Sequence, residues 1–286
     1  MKIRVIGCGT AFSFDNFNQS YLLEENGRKM VIDFGWNIPI ALKYHNIDIK
    51  TINDVYISHT HSDHIGGLEY LAFSRYDWVN KPLHYSGYSQ DHQAPRLIAN
   101  NQLLDELWND SLKGGLESME GFVASMDTFF ELLPIAPNET FDWEGWECKL
   151  VQQIHIMTGS SIKNSFGLII KKKGCQTIYF TTDSQHCSPR QIEVFYKESD
   201  VIFQDCELLP IELASGVHAN YYQLSGDPKA NSIILDRDIR KKMWLSHYQD
   251  FKLESKDFYG NYCDWDTKAE EDGFAGFLHL GQQFEF

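Results

Sequence analysis

One short segment constrains this chain more than any other: Ser58-His59-Thr60-His61-Ser62-Asp63-His64-Ile65-Gly66-Gly67. It places three imidazoles and a carboxylate within six residues and follows them with two glycines. On a helix such side chains would scatter around the axis, whereas a tight turn after a strand can aim them into one space. The β-branched and aromatic run Val55-Tyr56-Ile57 reads as that buried strand. Imidazole and carboxylate together suit zinc, manganese or iron. The spacing His-x-His-x-Asp-His serves two adjacent metals, with His59 and His61 facing one and Asp63 and His64 the other. The bland alternative is a polar surface turn that is merely rich in His.

Two metals need more donors than this turn holds, and rigid donors sit at strand ends. Three places qualify. His155 follows Leu150-Val151-Gln152-Gln153-Ile154, Asp183 ends Thr177-Ile178-Tyr179-Phe180-Thr181-Thr182, and His247 ends Met243-Trp244-Leu245-Ser246. Any one alone would pass for a loop residue; their order after the His-rich turn gives them weight. Asp183 is the candidate bridge, because a carboxylate has two oxygens and a neutral imidazole has one lone pair to give.

Asp33-Phe34-Gly35, the turn from His59 to His64, His155, Asp183 and His247 resemble, in their order, the metallo-β-lactamase superfamily. The resemblance covers nearly the whole chain. It implies an α/β fold, an αββα sandwich with the metals at one edge between two sheets, and hydrolysis by a metal-bound hydroxide. Asp33 is expected to steady the His-rich turn through hydrogen bonds rather than to ligate.

A chain of 286 residues fits one large domain, here residues 1–286. No apolar run reaches the length of a membrane span. Met1-Lys2-Ile3-Arg4-Val5-Ile6-Gly7 reads as an edge strand into a Gly turn rather than a signal peptide. Cys8, Cys148, Cys175, Cys187, Cys206 and Cys263 show no paired spacing and suggest reduced thiols in the cytoplasm, the host's if the protein is phage-encoded. Cys206, next to Asp205, reads as core. Opening strands are expected at 3–6, 21–24 and 29–33, a helix at 37–46, and further strands at 55–58 and 83–86. Residues 140–154 and 166–183 read as hairpin strands. Lys171-Lys172-Lys173-Gly174 falls at a hairpin tip, and Arg237 to Lys242 on a helix; both basic clusters read as solvated faces. Between the first metal motif and the third, residues 95–135 suggest a helical insertion. Its apolar residues from Leu103 to Phe130 recur at broadly helical spacing, broken at Gly114-Gly115. A lid or a dimer surface is favoured there over plain core.

Phosphoryl chemistry also needs a proton for the leaving group. His218, in a loop before a helix and not needed as a ligand, is the candidate general acid. Glu207, at the end of another strand, is expected to hold His218 protonated and oriented. Asp63 doubles as ligand and proton acceptor for the attacking water. Glu207 and His218 match positions found after the bridging Asp in ribonuclease Z-type phosphodiesterases, so the chain resembles that branch. It lacks an evident basic arm for gripping tRNA.

Within the branch, Gly7-Cys8-Gly9-Thr10-Ala11-Phe12, Asn18-Gln19-Ser20, the aromatic-rich stretch from Trp108 to Phe130 and Met243-Trp244-Leu245-Ser246-His247-Tyr248 resemble the anti-Pycsar proteins. That resemblance implies two Zn2+ ions (Mn2+ is an alternative), a homodimer whose subunits contribute to each other's pockets, and opening of 3′,5′-cyclic mononucleotides such as cCMP, cUMP, cAMP and cGMP. Such a reaction blunts a cyclic-nucleotide antiviral immune signal. The net charge of −15 weighs against a stable nucleic-acid partner. It is no obstacle to a singly charged cyclic nucleotide. Asn18, Gln19 and Ser20 are candidates to hydrogen-bond phosphate or sugar, and the neighbouring aromatics to stack on a base; equally, they only build the turn. Two other readings stay open: a tRNA 3′-end endonuclease, and a non-catalytic binder that sequesters a nucleotide.

Overall fold

The computed structural model describes residues 1–76, 94–185, 188–230, 235–250, 257 and 261–286. The strand expected at 83–86 and Cys187 lie outside them. The first sheet uses β1 (Lys2–Gly7), β2 (Ser20–Glu25), β3 (Arg28–Ile32), β4 (Asp54–Tyr56) and β5 (Arg96–Asn100). A small hairpin of β6 (Ser118–Met119) and β7 (Phe122–Val123) follows, and β8 (Glu131–Ile135) returns to the first sheet. The second sheet holds β9 (Thr140–Trp143), β10 (Trp146–Met157), β11 (Ile162–Lys171), β12 (Ile178–Phe180), β13 (Val201–Asp205), β14 (Met243–Ser246) and β15 (Gly276–Phe277). Finally β16 (Gln283–Glu285) pairs with β1, so β1 is an interior strand and not the edge its position suggests. Helices α1 (Ile38–Tyr44), α2 (Ser62–Ile65), α3 (Leu68–Arg75), α4 (Asn101–Leu107) and α5 (Lys113–Leu116) serve the first sheet.

Period-2 alternation sorts the first sheet into two faces. Ile3, Val5, Tyr21, Leu23, Met30, Ile32, Tyr56 and Ile98 face the second sheet and form the inner core with Leu168, Phe180 and Phe203. Ile6, Leu22, Val31, Val55, Leu97 and Ala99 face outward, under Ala41, Leu42, Leu68 and Leu71 of α1 and α3. The result is the αββα sandwich of the metallo-β-lactamase fold. Parallel pairing of β3, β4, β5 and β8 on one side, and of β12 to β15 on the other, points several strand ends toward one edge.

The insertion departs from the sequence reading in two ways. Its flanks are strands of the first sheet, because Arg96–Asn100 and Glu131–Ile135 pair in parallel across the helical material between them. Its apolar side chains Leu103, Leu104, Leu107, Leu112, Leu116, Phe129 and Phe130 are buried in the outer core. They form the layer that covers the outward face of β5, so they are packed core where a lid or dimer surface was favoured. Residues 140–154 likewise resolve into two strands joined at Glu144-Gly145, while the tip at Lys172 to Gly174 joins β11 to β12 as expected.

Candidate metal centre

β4 ends at Tyr56, and the chain turns through Ile57 and Ser58 into the His-rich segment, whose last residues form α2. The turn lies tight against the loop after β3. Phe34 N donates to His64 O at 2.7 Å, and Gly67 N donates to Phe34 O at 2.9 Å. A Cβ on Gly35 would stand 2.0 Å from the Asp63 carbonyl oxygen, so only glycine allows this approach. Asp33 fastens the turn electrostatically. Its carboxylate accepts from Ser58 N at 2.8 Å, Ser58 Oγ at 2.7 Å and His64 Nδ1 at 2.8 Å.

The second sheet brings the remaining donors. His155 sits where the β10–β11 register slips between Ile154 and Ile156, and such a bulge re-aims a side chain. Asp183 follows β12, and His247 follows β14. Asp33, Thr182 and His247 take positive φ values of 58°, 54° and 63°, an uncommon conformation for residues with a Cβ. All three occur where a strand gives way to the centre, which is where backbone strain tends to be kept.

Besides a group of Asp183, Asp205, His218 and His247, two groups of donor atoms combine the two sheets. His59, His61, His155 and Asp183 form one; Asp63, His64, Asp183 and His247 form the other, and Asp183 belongs to both. Within each group the donor atoms lie within 4.8 Å of one another. Both groups draw on both sheets. In the first, His61 Nδ1 stands 3.1 Å from His59 Nε2 and 3.0 Å from His155 Nε2. Converging lone pairs at such spacing are what a cation between them would satisfy. In the second, His64 Nε2 and His247 Nε2 lie 3.2 and 3.4 Å from oxygens of Asp183. His64 Nε2, His247 Nε2 and Asp183 Oδ1 are buried without a hydrogen-bond partner, a costly arrangement for the chain alone. The donor set and these orphaned atoms fit divalent cations. Three of the ring nitrogens turned away from the centre are engaged: His59 Nδ1 by Ser58 Oγ at 3.0 Å, His64 Nδ1 by Asp33, and His155 Nδ1 by Val217 O at 3.0 Å. Outer contacts of this kind fix which nitrogen faces a metal.

Electrostatics divide the groups. Burial, with help from neighbouring imidazoles, holds His59 well below the usual range and His61 down to about 4. Burial also lowers His155. Around His64 burial opposes protonation, but Asp183, Asp63 and Asp33 outweigh it and raise the imidazole well above normal. Burial pushes Asp63 and Asp183 upward and is overcome, for Asp63 by His64 and His247 and for Asp183 by His247 and His64. Both carboxyls end well below the usual carboxylate range.

His218 stands beside the second group, its ring centroid 4.4 Å from that of His247. Its partner differs from the one expected. His218 Nδ1 donates to Asp205 Oδ2 at 3.0 Å, and Asp205 Oδ1 lies 3.5 Å from His247 Nδ1. Burial of His218 favours the neutral ring, yet Asp205 and then Asp183 raise it to about 10. Glu207 instead accepts from Ser215 N at 3.0 Å, and its backbone pairs with Ala219 and Tyr221. It shapes the loop that carries His218 and does not touch the ring. Asp205 was missed because Asp205 and Glu207, two apart at a strand end, share one face in the alternation of a strand. The fold separates them: Asp205 ends β13, between the strands that end near Asp183 and His247.

Asn18, Gln19 and Ser20, candidates for substrate contact or for building the turn, are engaged within the fold. All three are buried. Asn18 Nδ2 donates to Thr10 O at 3.1 Å, Gln19 Nε2 to Tyr21 Oη at 3.1 Å, and Ser20 Oγ to Asp33 O at 2.8 Å. They build the β1–β2 loop. Phe12, 88% exposed, and Phe14, 72% exposed, are open to solvent in that loop, as is Asp15. Phe14 rests edge-on against Trp36 at 5.3 Å. The loop is held by Asp250, whose carboxylate accepts from the backbone N–H of Phe14, Asp15 and Asn16. Among the described residues Cys8, Cys148, Cys175, Cys206 and Cys263 form no disulfide, and Cys206 is buried core. No helix among the described residues is long and apolar enough to cross a membrane.

Comparison with known proteins agrees with this architecture. The Bacillus subtilis metallo-beta-lactamase fold protein YhfI superposes with a TM-score of 0.65 at 16% identity, over 99% of each chain. Unliganded yeast PDE1 superposes with a TM-score of 0.67 at 13% identity, over 100% of this chain and 99% of that one. Anti-Pycsar protein Apyc1 of Paenibacillus harenae is 30% identical over 251 residues, which span 87% of this chain and 90% of the relative. The family model described as Anti-Pycsar protein Apyc1 matches residues 1–284. The chain therefore belongs to the Anti-Pycsar protein Apyc1 family.

Proposed function

We propose that this protein is a metal-dependent phosphodiesterase that opens 3′,5′-cyclic mononucleotides to linear nucleoside monophosphates. The observation that carries the reading is a pair of four-donor groups sharing Asp183, with a proton-bearing imidazole on Asp205 beside them. His59, His61 and His155 would hold one cation, Asp63, His64 and His247 the other, with Asp183 common to both. Two divalent cations, Zn2+ or Mn2+, supply Lewis acidity toward phosphoryl oxygens and lower the pKa of water. The chain's own side chains do the rest. His218, held by Asp205 in the orientation that leaves Nε2 free, donates a proton to the departing ribose oxygen. Asp63, its carboxyl kept ionised, accepts a proton from the attacking water. Buried Asp33, Ser58 and the Val217 carbonyl keep the imidazoles aimed. Phe12 or Phe14 offers a face on which a base can stack, a contact that tolerates different bases.

Membership of the Anti-Pycsar family supports the choice of a cyclic nucleotide, and with it the removal of an antiviral signal. Action in the cytoplasm and assembly as a homodimer belong to the same reading. So does a single domain over residues 1–286. The net charge of −15 favours a small anion over an RNA backbone.

The test is incubation of Zn2+-loaded protein with cCMP, cUMP, cAMP and cGMP, beside a tRNA precursor carrying a 3′ trailer. Linear mononucleotides that vanish with chelator or with His61→Ala are the expected products. Trimmed tRNA with intact cyclic nucleotides would overturn the reading in favour of an endonuclease. Stoichiometric retention without turnover would overturn it in favour of a binder.

A further inference from the structure

Thr60 stands between the imidazoles His59 and His61, and its hydroxyl is engaged from two other parts of the fold. Thr60 Oγ1 donates to Glu106 Oε1 at 2.5 Å and accepts from Lys163 Nζ at 2.7 Å. Lys163 also pairs directly with Glu106. Glu106 belongs to α4 of the insertion and Lys163 to β11 of the second sheet. One hydroxyl thus joins the His-rich turn, the outer helical layer and the opposite sheet.

This cluster bears on His61, a donor that lacks an outer anchor among the described residues. His59, His64 and His155 each have the ring nitrogen away from the centre engaged. Among the described residues no such contact holds His61, whose Nδ1 faces His59 and His155. Its side chain does not cap the helix it precedes either. An open groove of about 220 Å³ runs along the outer side of the turn, bordered by Thr60, Ser62, Glu69, Ser111 and Leu112. Ser111 and Leu112 belong to a π-helical turn, Trp108–Leu112, that continues α4 past the groove. Beside this groove, the His61 carbonyl accepts from His64 N and Ile65 N, and the polar contacts of Thr60 tie the backbone between His59 and His61 to α4 and β11.

We propose that Glu106 and Lys163 are positioning residues for the first metal group, acting on His61 through Thr60. The inference rests on the metal reading of the centre. It adds that the insertion and the first group are thermodynamically linked: cation binding braces α4, and a braced α4 favours binding.

The test reads metal binding rather than turnover. In a His247→Ala background, which removes a donor of the second group, titration with Zn2+ against a chromophoric chelator reports mainly on the first. Thr60→Val and Glu106→Ala are expected to weaken that affinity by about 10- to 100-fold and to change the Co2+ absorption band. Glu106→Gln, which can still accept from Thr60, should recover part of the loss. The melting temperature of the chelated proteins should not change. In hydrogen exchange, Zn2+ should protect residues 101–116 of the otherwise unaltered chain and fail to do so in Glu106→Ala. Unchanged affinity in Thr60→Val and Glu106→Ala would overturn the proposal. So would an equal loss at both groups with a lowered melting temperature in chelator, the mark of general weakening. A Lys163→Ala protein with normal metal affinity and a raised KM would remove Lys163 from the proposal and make it a substrate contact. If the unaltered protein binds no Zn2+ or Co2+, the metal reading itself has failed, which is a different result from normal binding in the variants.

Discussion

The two halves of the centre share Asp183 and little else. His59, His61 and His155 are imidazoles whose burial keeps them neutral. On the other side, the carboxylates around His64 and His218 raise both imidazoles, and Asp63 is held well below the usual carboxylate range. The first half is ready to give lone pairs and has few protons to lose. The second keeps protons and negative charge in close company. One half is therefore suited to fixing a cation and the other to moving a proton, and the shared carboxylate of Asp183 stands between them.

Removing what the halves share should have the largest effect. Asp183→Asn is expected to lower the content of both metals and turnover of cyclic nucleotides by at least about 10³-fold, read by elemental analysis and single-turnover assay. Full metal content in that variant would break the idea of a common bridge. His218→Ala touches only the proton side. It should cost about 10²- to 10⁴-fold on cyclic nucleotides, with metal content intact, and much less on a p-nitrophenyl phosphodiester, whose leaving group needs no proton. Equal losses on both substrates would take the acid role away from His218.

Asp205→Asn should act through His218 and cost about 10- to 100-fold. Without the Asp205 charge His218 releases its proton more easily, so the alkaline limb of the rate profile should move to lower pH. Glu207→Gln, which removes a smaller contribution, should move that limb in the same direction by less. The smallest effect concerns stability after chelation, where the halves should respond in opposite directions. His61 is lowered from 6.5 to about 4, so its contribution is complete above pH 6.5 and is lost as pH falls from there toward 4. His218 is raised from 6.5 to about 10, so its contribution is complete below pH 6.5 and is lost as pH rises through 10. Thermal melts of chelated protein should flatten on the acid side in His61→Asn and on the alkaline side in His218→Asn.

What the sequence made legible follows from locality. The turn at His59 to His64 is one continuous motif, and His155, Asp183 and His247 each end or interrupt a recognisable strand. The structure brings all of them together. Less legible features depended on pairing between distant residues. Arg96–Asn100 and Glu131–Ile135 are separated by helical material, so their parallel pairing, and the burial of the insertion that follows from it, left no local trace. Asn18, Gln19 and Ser20 have the donors of a binding loop, but the partners that use those donors lie inside the fold. Asp205 and Glu207 were separable only once β13 was seen to end at Asp205 and the chain to turn toward Asn220.

Each donor group takes side chains from both sheets of the sandwich. A cation bound there would act as a removable cross-link, much as a disulfide does but set by the supply of metal in the cell. Since a ligand that binds only the folded state stabilises it by mass action, persistence of the protein would follow metal availability as well as activity would. A cell that withholds zinc would then weaken this protein twice, once by slowing it and again by exposing the loosened sandwich to proteases.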